Sequence, residues 1–321
     1  MENQLELKSI SKSYQSEAGA LDSLHLIVKS NSKIGIVGET GSGKATLLKV
    51  IGGLEQPSSG KVLFEGVPVD GPDMKLIPGH KDIIYLSQYS ELPNFISVEQ
   101  HLDNSYHLNE AEAQAINEAC KITHLLQKDT RELSGGEKQR VSFAKALTET
   151  PKVLLLDEPF SNLDLIHKKA LKEVVDTISH NFDTTILMVT HDARDVLSWA
   201  DEIIVVKNGT IVQHDRPQVV YRKPVNEYVA GLFGEYSLLP EKTFDLKGIE
   251  IHMIKDQLFF RPEAFTLNQK NTLGSLECIV VNCAFMGAFY SINLKTTFDF
   301  IIYAHSDRPL DLNTRVWLSL V

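Results

Sequence analysis

Gly38-Glu39-Thr40-Gly41-Ser42-Gly43-Lys44 is preceded by Lys33-Ile34-Gly35-Ile36-Val37, an apolar run of strand length. It is followed by a segment carrying Leu47, Leu48 and Ile51 at helical spacing. A glycine-rich turn between a buried strand and a helix is the context that a phosphate-binding loop requires. The glycines let backbone amides approach phosphate oxygens, and the helix N-terminus adds partial positive charge. Lys44 adds a full positive charge, within reach of the β and γ phosphates of a nucleotide. A plain glycine turn needs neither the lysine nor the strand and helix around it. One position departs from the pattern: where a Ser or Thr hydroxyl would ligate magnesium, this chain has Ala45, followed by Thr46.

Outward from that loop, short apolar runs alternate with helical patterns, which predicts a parallel or mixed sheet covered by helices. Asp82–Leu86 reads as a strand. Val153-Leu154-Leu155-Leu156 and Thr185-Ile186-Leu187-Met188-Val189 are continuously apolar, as expected when both faces of a sheet are buried. Between them Leu163, Ile166, Ala170, Val174 and Ile178 recur at helical spacing. Residues 97–148 read as a small helical subdomain, and Asn208-Gly209 as the turn of a hairpin.

Asp157-Glu158-Pro159 closes the strand Val153–Leu156, at the carboxyl edge where open α/β sheets bind ligands. There Asp157 can hold magnesium through water, and Glu158 can orient or deprotonate an attacking water. Two adjacent acids are ordinarily just solvated, but not directly after four buried aliphatics. Leu133-Ser134-Gly135-Gly136-Glu137-Lys138-Gln139-Arg140 opens another helix, with Val141, Ala144 and Leu147 on one face. Ser134 and Glu137 make a capping box. The two glycines bare the amides of the helix N-terminus and so offer a second anion site. Two such sites in one chain suggest a phosphate group held from both sides.

Near Gly234 the character changes to Phe-, Ile- and Thr-rich sequence with frequent turn residues, the signature of a small β barrel or sandwich. The expected division is 1–234 and 235–321. The 32 basic and 42 acidic residues leave a net charge of −10, which argues against nucleic-acid binding. Cys120, Cys278 and Cys283 are too few and too odd in number for a disulfide framework, and two thiols without histidine partners rarely hold zinc. Met1-Glu2-Asn3-Gln4 lacks the regions of a signal peptide. No apolar stretch approaches the roughly 20 residues that span a bilayer. A soluble protein of a reducing cytosol is expected.

With these motifs in order over residues 3–230, the chain resembles the ATP-binding cassette family of transporter ATPases. The resemblance implies a P-loop NTPase fold with a mixed sheet and a helical subdomain, and ATP and magnesium as cofactors. It implies that the loop Gly38–Thr46 (Gly38, Glu39, Thr40, Gly41, Ser42, Gly43, Lys44, Ala45, Thr46) cradles the phosphates while Tyr14 stacks on adenine. Gln88 matches the flexible glutamine that senses the γ phosphate, with Asp157 at the metal. His191, after Thr190, matches the histidine that contacts the γ phosphate. Ser161-Asn162-Leu163-Asp164 matches the segment linking two active sites. Lys44, Gln88, Glu158 and His191 form the implied catalytic set, and Ser134, Gly135, Gly136 and Glu137 grip ATP across a head-to-tail dimer of two copies. Departures are Glu137 where glutamine is commoner, a short segment between Gln88 and Leu133, and Ala45.

Residues 235–321 resemble, on fewer motifs, the small OB-like (TOBE) β domain appended to importer ATPases, through Arg261-Pro262-Glu263 and Phe285-Met286-Gly287. Together these imply an importer subunit at the cytoplasmic face of the membrane. It would drive a separate integral-membrane permease, with the solute held by the permease or a binding protein. The alternatives are a catalytically weakened regulatory cassette, on the strength of Ala45, and a soluble cassette ATPase outside transport.

Overall fold

The computed structural model describes residues 3–14, 20–87, 92–102, 108–161, 163–244, 251–271 and 274–321. These fall into two compact units, Met1–Pro217 and Gln218–Val321.

The first unit begins with strands β1 (Asn3–Lys12), β2 (Leu21–Lys29) and β3 (Lys33–Val37), then helix α1 (Lys44–Ile51). Strands β4 (Ser59–Phe64), β5 (Val67–Pro68) and β6 (Ile83–Leu86) follow, then helices α2 (Val98–Leu102), α3 (Glu110–Ala119) and α4 (Gly135–Thr148). The remainder is β7 (Val153–Asp157), α5 (Leu165–Asn181), β8 (Thr185–Thr190), α6 (Arg194–Leu197), β9 (Glu202–Lys207) and β10 (Thr210–Asp215). Six strands form one sheet in the order β10-β9-β3-β8-β7-β6. Its pairs are parallel except for β10 at the edge, which runs antiparallel to β9. The sheet is therefore mixed, as the alternation of strand and helix patterns predicts.

A second, antiparallel sheet has the order β2-β1-β4-β5. The alternating burial of β2 shows one face turned inward and one outward. Leu5, Leu24 and Leu26 from this sheet join Leu47, Leu48 and Ile51 of α1 and Ile36, Leu155 and Leu187 of the parallel strands in one buried cluster. α1, which carries the phosphate loop at its start, is thus held from both sides by apolar packing.

α5 differs from its predicted face. The buried stripe is Leu171, Val174, Val175 and Ile178, whereas Leu165 and Ile166 are 84% and 80% exposed. Periodicity fixes which side of a helix is apolar but not how far along it the covering layer extends. Asn208 and Gly209 both have positive φ, 48° and 74°, the two left-handed residues of a type I′ turn between β9 and β10.

The second unit begins within α7 (Pro217–Arg222), which a second short helix, α8 (Glu227–Leu232), follows. It continues in strands β11 (Ser237–Pro240), β12 (Met253–Ile254), β13 (Gln257–Phe260), β14 (Phe265–Asn268), β15 (Leu276–Phe285), β16 (Tyr290–Thr296), β17 (Ile301–Ser306) and β18 (Arg315–Leu320). They pair antiparallel as β11-β13-β12 and β14-β18-β15-β16-β17. Leu239, Leu258 and Phe260 of the first sheet share a core with Val280, Ile292 and Leu318 of the second. Cys278 is buried in that core, and burial pushes its thiol up to about 12. Among the described residues no three His, Cys, Asp or Glu side chains cluster as a metal site, Cys278 and Cys283 included.

Candidate functional site

Register assembles the site. In the parallel sheet Val37 pairs with Thr190, and Asp157 with Val189. The ends of β3, β8 and β7 therefore lie side by side at one carboxyl edge. Gly38, His191 and Glu158 leave the sheet from neighbouring strands, although Gly38 is more than a hundred residues from the other two along the chain. A cavity of about 510 Å³ opens there, lined by Thr40, Gly41, Gly43, Lys44, Ala45 and Thr46 of the loop and by Asp157 and Glu158 opposite. Tyr14, 45% exposed, stands on its rim with the Lys12 ammonium 5.1 Å from its ring centre.

The loop is shaped for an anion. α1 has Gly43 as its N-cap, with no side-chain capping bond and no acid in its first turn. Its first amides are left to a ligand, and no negative charge competes for them. The Lys44 ammonium donates to Gly38 O and Glu39 O, each at 2.8 Å, and to Ser42 Oγ at 3.4 Å. Burial lowers its pKa, against the opposing pull of Glu158 and Asp157. Those three acceptors can be exchanged for phosphate oxygens with little movement of the charge.

Across the cavity, Glu158 takes a positive φ of 48° directly after β7, and its N–H donates to Val189 O at 3.0 Å. Ser161 Oγ closes the turn by donating to Glu158 O at 2.8 Å. The Glu158 carboxylate accepts from His191 Nδ1 at 2.9 Å. The two residues proposed from sequence as base and γ-phosphate contact are thus joined directly. Asp157 Oδ2 accepts from the Tyr85 hydroxyl at 2.7 Å. Burial, and then that bond, push the Tyr85 pKa above its ordinary value, so the phenol keeps the proton it donates.

The glycine-rich start of α4 is built as its sequence predicts. Ser134 N donates to Glu137 Oε2 at 2.8 Å, and Glu137 N to Ser134 Oγ at 3.4 Å. The backbone donor at Ser134 holds the Glu137 carboxyl below its ordinary range. Val141, Ala144 and Leu147 are buried. Gln139 reaches from α4 to Pro159 O at 2.8 Å, tying this helix to the turn that carries Glu158. Ser134, Gly135, Gly136 and Glu137 are not among the residues lining the nucleotide-sized cavity. Nor is Asp164, whose carboxylate caps α5 by accepting from His167 N. Gln88 and Asn162 lie outside the described residues.

Several residues at the site carry no motif. Ala20, Val189, Asn208 and Gly209 also line the cavity. Gly209 N donates to Ser42 O at 3.0 Å, and Asp22 N to Gly209 O at 2.9 Å. The β9–β10 turn is therefore a buttress for the phosphate loop, although in the sequence it reads only as a turn. Tyr85 was equally silent, since one tyrosine in an apolar strand has no pattern of its own.

A magnesium ion that arrives on a nucleotide needs only one or two protein carboxylates, with water and phosphate oxygens completing its shell. Asp157 beside Lys44 and Glu158 fits that requirement. Ala45 contributes a methyl group where a hydroxyl would help.

The family model described as ABC transporter matches residues 21–161. The Fe(3+) ions import ATP-binding protein FbpC of Vibrio cholerae is 32% identical over 316 residues, covering 92% of this chain and 88% of the relative. The glucose import ATP-binding protein GlcV of Saccharolobus solfataricus is 34% identical over 246 residues, 74% of this chain and 70% of its own length. Among solved structures, cbiO1 of Clostridium perfringens, part of an ABC transporter complex, superposes with a TM-score of 0.61 at 29% identity. That superposition covers 68% of this chain and 91% of cbiO1.

Proposed function

The chain belongs to the ABC transporter family of ATP-binding proteins, and from that premise we propose that it is the ATP-hydrolysing subunit of an importer. The observation that carries this is the shared carboxyl edge of β3, β8 and β7, where Lys44, Asp157 and Glu158 line one cavity and His191 is hydrogen-bonded to Glu158.

In this reading the adenine lies against Tyr14, a contact of roughly 1–3 kcal/mol by analogy with stacked bases. The phosphates exchange with the carbonyl partners of Lys44 and accept the amides of the loop and of α1. Asp157 would hold, through water, a magnesium ion carried on the nucleotide, and that ion would supply charge neutralisation at the phosphates. Glu158 accepts a proton from the attacking water, and His191 holds Glu158 in place while facing the γ phosphate. Gln88 completes the set at the γ phosphate and the metal.

Ser134–Glu137 do not line the cavity of their own chain, so they serve the ATP of a second copy. Two chains enclose two ATP molecules head to tail, with Asp164 at the junction. Closing and opening of that dimer drives a separate membrane permease. No helix among the described residues is long and apolar enough to cross a membrane, and we place the subunit peripherally at the cytoplasmic face. Residues 235–321 form an appended OB-like domain. The relatives' iron and glucose differ too much in chemistry to assign a solute, which the permease or a binding protein recognises. Despite Ala45, a slowed ATPase fits better than an inactive one, because Lys44, Asp157, Glu158 and His191 are all in place.

Lys44 supplies the one full positive charge of the loop. Lys44→Ala should weaken ATP binding by at least about ten- to a hundred-fold, the worth of a charged hydrogen bond, and abolish turnover. Unchanged affinity by calorimetry would remove the loop from the site.

A further inference from the structure

Asp157 is the one carboxylate assigned to magnesium, and the loop opposite offers it no hydroxyl at Ala45. A free carboxylate swings about its Cβ–Cγ bond, and a metal site with few protein anchors suffers most from that freedom. Here the freedom is removed from an unexpected side. Tyr85 sits on β6, which pairs with β7 so that Tyr85 lies opposite Leu155, two residues before Asp157. Its ring packs against the main apolar cluster, and its hydroxyl donates to Asp157 Oδ2 at 2.7 Å. One carboxylate oxygen is thereby fixed, and the other is left to the metal's water shell.

We propose that Tyr85 is the positioning residue for Asp157 at the magnesium site, and that it offsets the hydroxyl missing at Ala45. The assignment rests on the ATPase reading above. It adds a residue that carries no motif and explains how a loop with Ala45 can still serve a metal-dependent reaction. Hydrogen-bond partners of this kind, one step removed from the ion, typically set metal affinity by about ten- to a hundred-fold.

The experiment uses the full chain, with ATP binding followed by calorimetry at graded magnesium concentrations for wild type, Tyr85→Phe, Ala45→Ser and the double variant. ATP binding without magnesium serves as the control for an intact loop. Tyr85→Phe should leave that control unchanged and raise the magnesium concentration for half-maximal tightening by about ten-fold or more. Ala45→Ser should lower it. In the Ala45→Ser background the effect of Tyr85→Phe should shrink, because the loop then supplies a further anchor. An unchanged or lowered midpoint in Tyr85→Phe, with wild-type melting, overturns the proposal. An undiminished effect in the Ala45→Ser background overturns its compensatory part. A wild-type chain that binds no ATP at any magnesium concentration overturns the ATPase reading itself, a result distinct from equal midpoints.

Discussion

His191 and Glu158 show how one hydrogen bond constrains chemistry. With Nδ1–H donated to the carboxylate, Nε2 is the ring nitrogen left for the proposed γ-phosphate contact, where it donates only in the doubly protonated form. Glutamine at position 158 can still accept from Nδ1–H through its amide oxygen, so the substitution preserves the geometry and removes the base. Glu158→Gln should therefore retain ATP binding and slow hydrolysis by about 10²–10⁴, measured as phosphate release at saturating ATP. Undiminished turnover would take Glu158 out of the mechanism. The residues of this pair were legible in the sequence because each ends an apolar strand. Their contact was not, because nothing in the sequence states that β7 and β8 are neighbours.

The phosphate loop and α4 behave as elements whose ends do the work. A Cβ on Gly43, at φ 100°, would lie 2.2 Å from Ala20 O, whereas one on Gly41, at φ 82°, would meet nothing within 4 Å. Gly43→Ala should thus abolish nucleotide binding and lower the melting temperature. Gly41→Ala should fold, paying only the left-handed strain of roughly 1–2 kcal/mol. Equal melting temperatures for the two variants would contradict the close approach to Ala20. At the start of α4, the Glu137 carboxyl lies below its ordinary value of 4.5, chiefly because Ser134 N donates to it. A depressed acid adds stability above its unfolded pKa and loses it as pH falls through the folded value. Wild type should out-melt Glu137→Ala at neutral pH, and the gap should narrow below about pH 4.5. A gap constant down to pH 3 would mean that the charge contributes nothing. The capping box was readable from Ser134 and Glu137 three residues apart, since it is a local device. The tie from Gln139 to Pro159 was not, since it joins elements twenty residues apart through a backbone carbonyl.

At the scale of the molecule the two units differ in kind, one a mixed sheet with helices and one wholly antiparallel beyond α8. The proposed ATP-binding domain, 1–234, includes α7 and α8. Arg261 from the β domain donates to Tyr221 O at 3.1 Å, Ala230 O at 3.0 Å and Gly234 O at 3.1 Å, so those helices lose their donor if the chain stops at Gly234. A chain ending at Gly234 should still fold and bind ATP, because every residue lining the cavity precedes it. A chain ending at Pro217 should bind ATP equally and melt no lower. Loss of ATP binding in the 1–234 chain would show that the domains are not independent.

By itself the sequence determined the chemistry available to this protein. The loop, the acids after a buried strand, the capping box and the Asn208-Gly209 turn are each encoded within about ten residues, where glycine content, charge and periodicity act locally. Only the tertiary structure decided which of these meet. The strand order β3-β8-β7 brings Lys44, His191 and Glu158 to one edge, the β9–β10 turn braces the loop, and Tyr85 reaches Asp157 from the next strand. Such meetings depend on pairing between distant segments, which is selected by the burial of a whole sheet and leaves no mark on any single stretch of the chain.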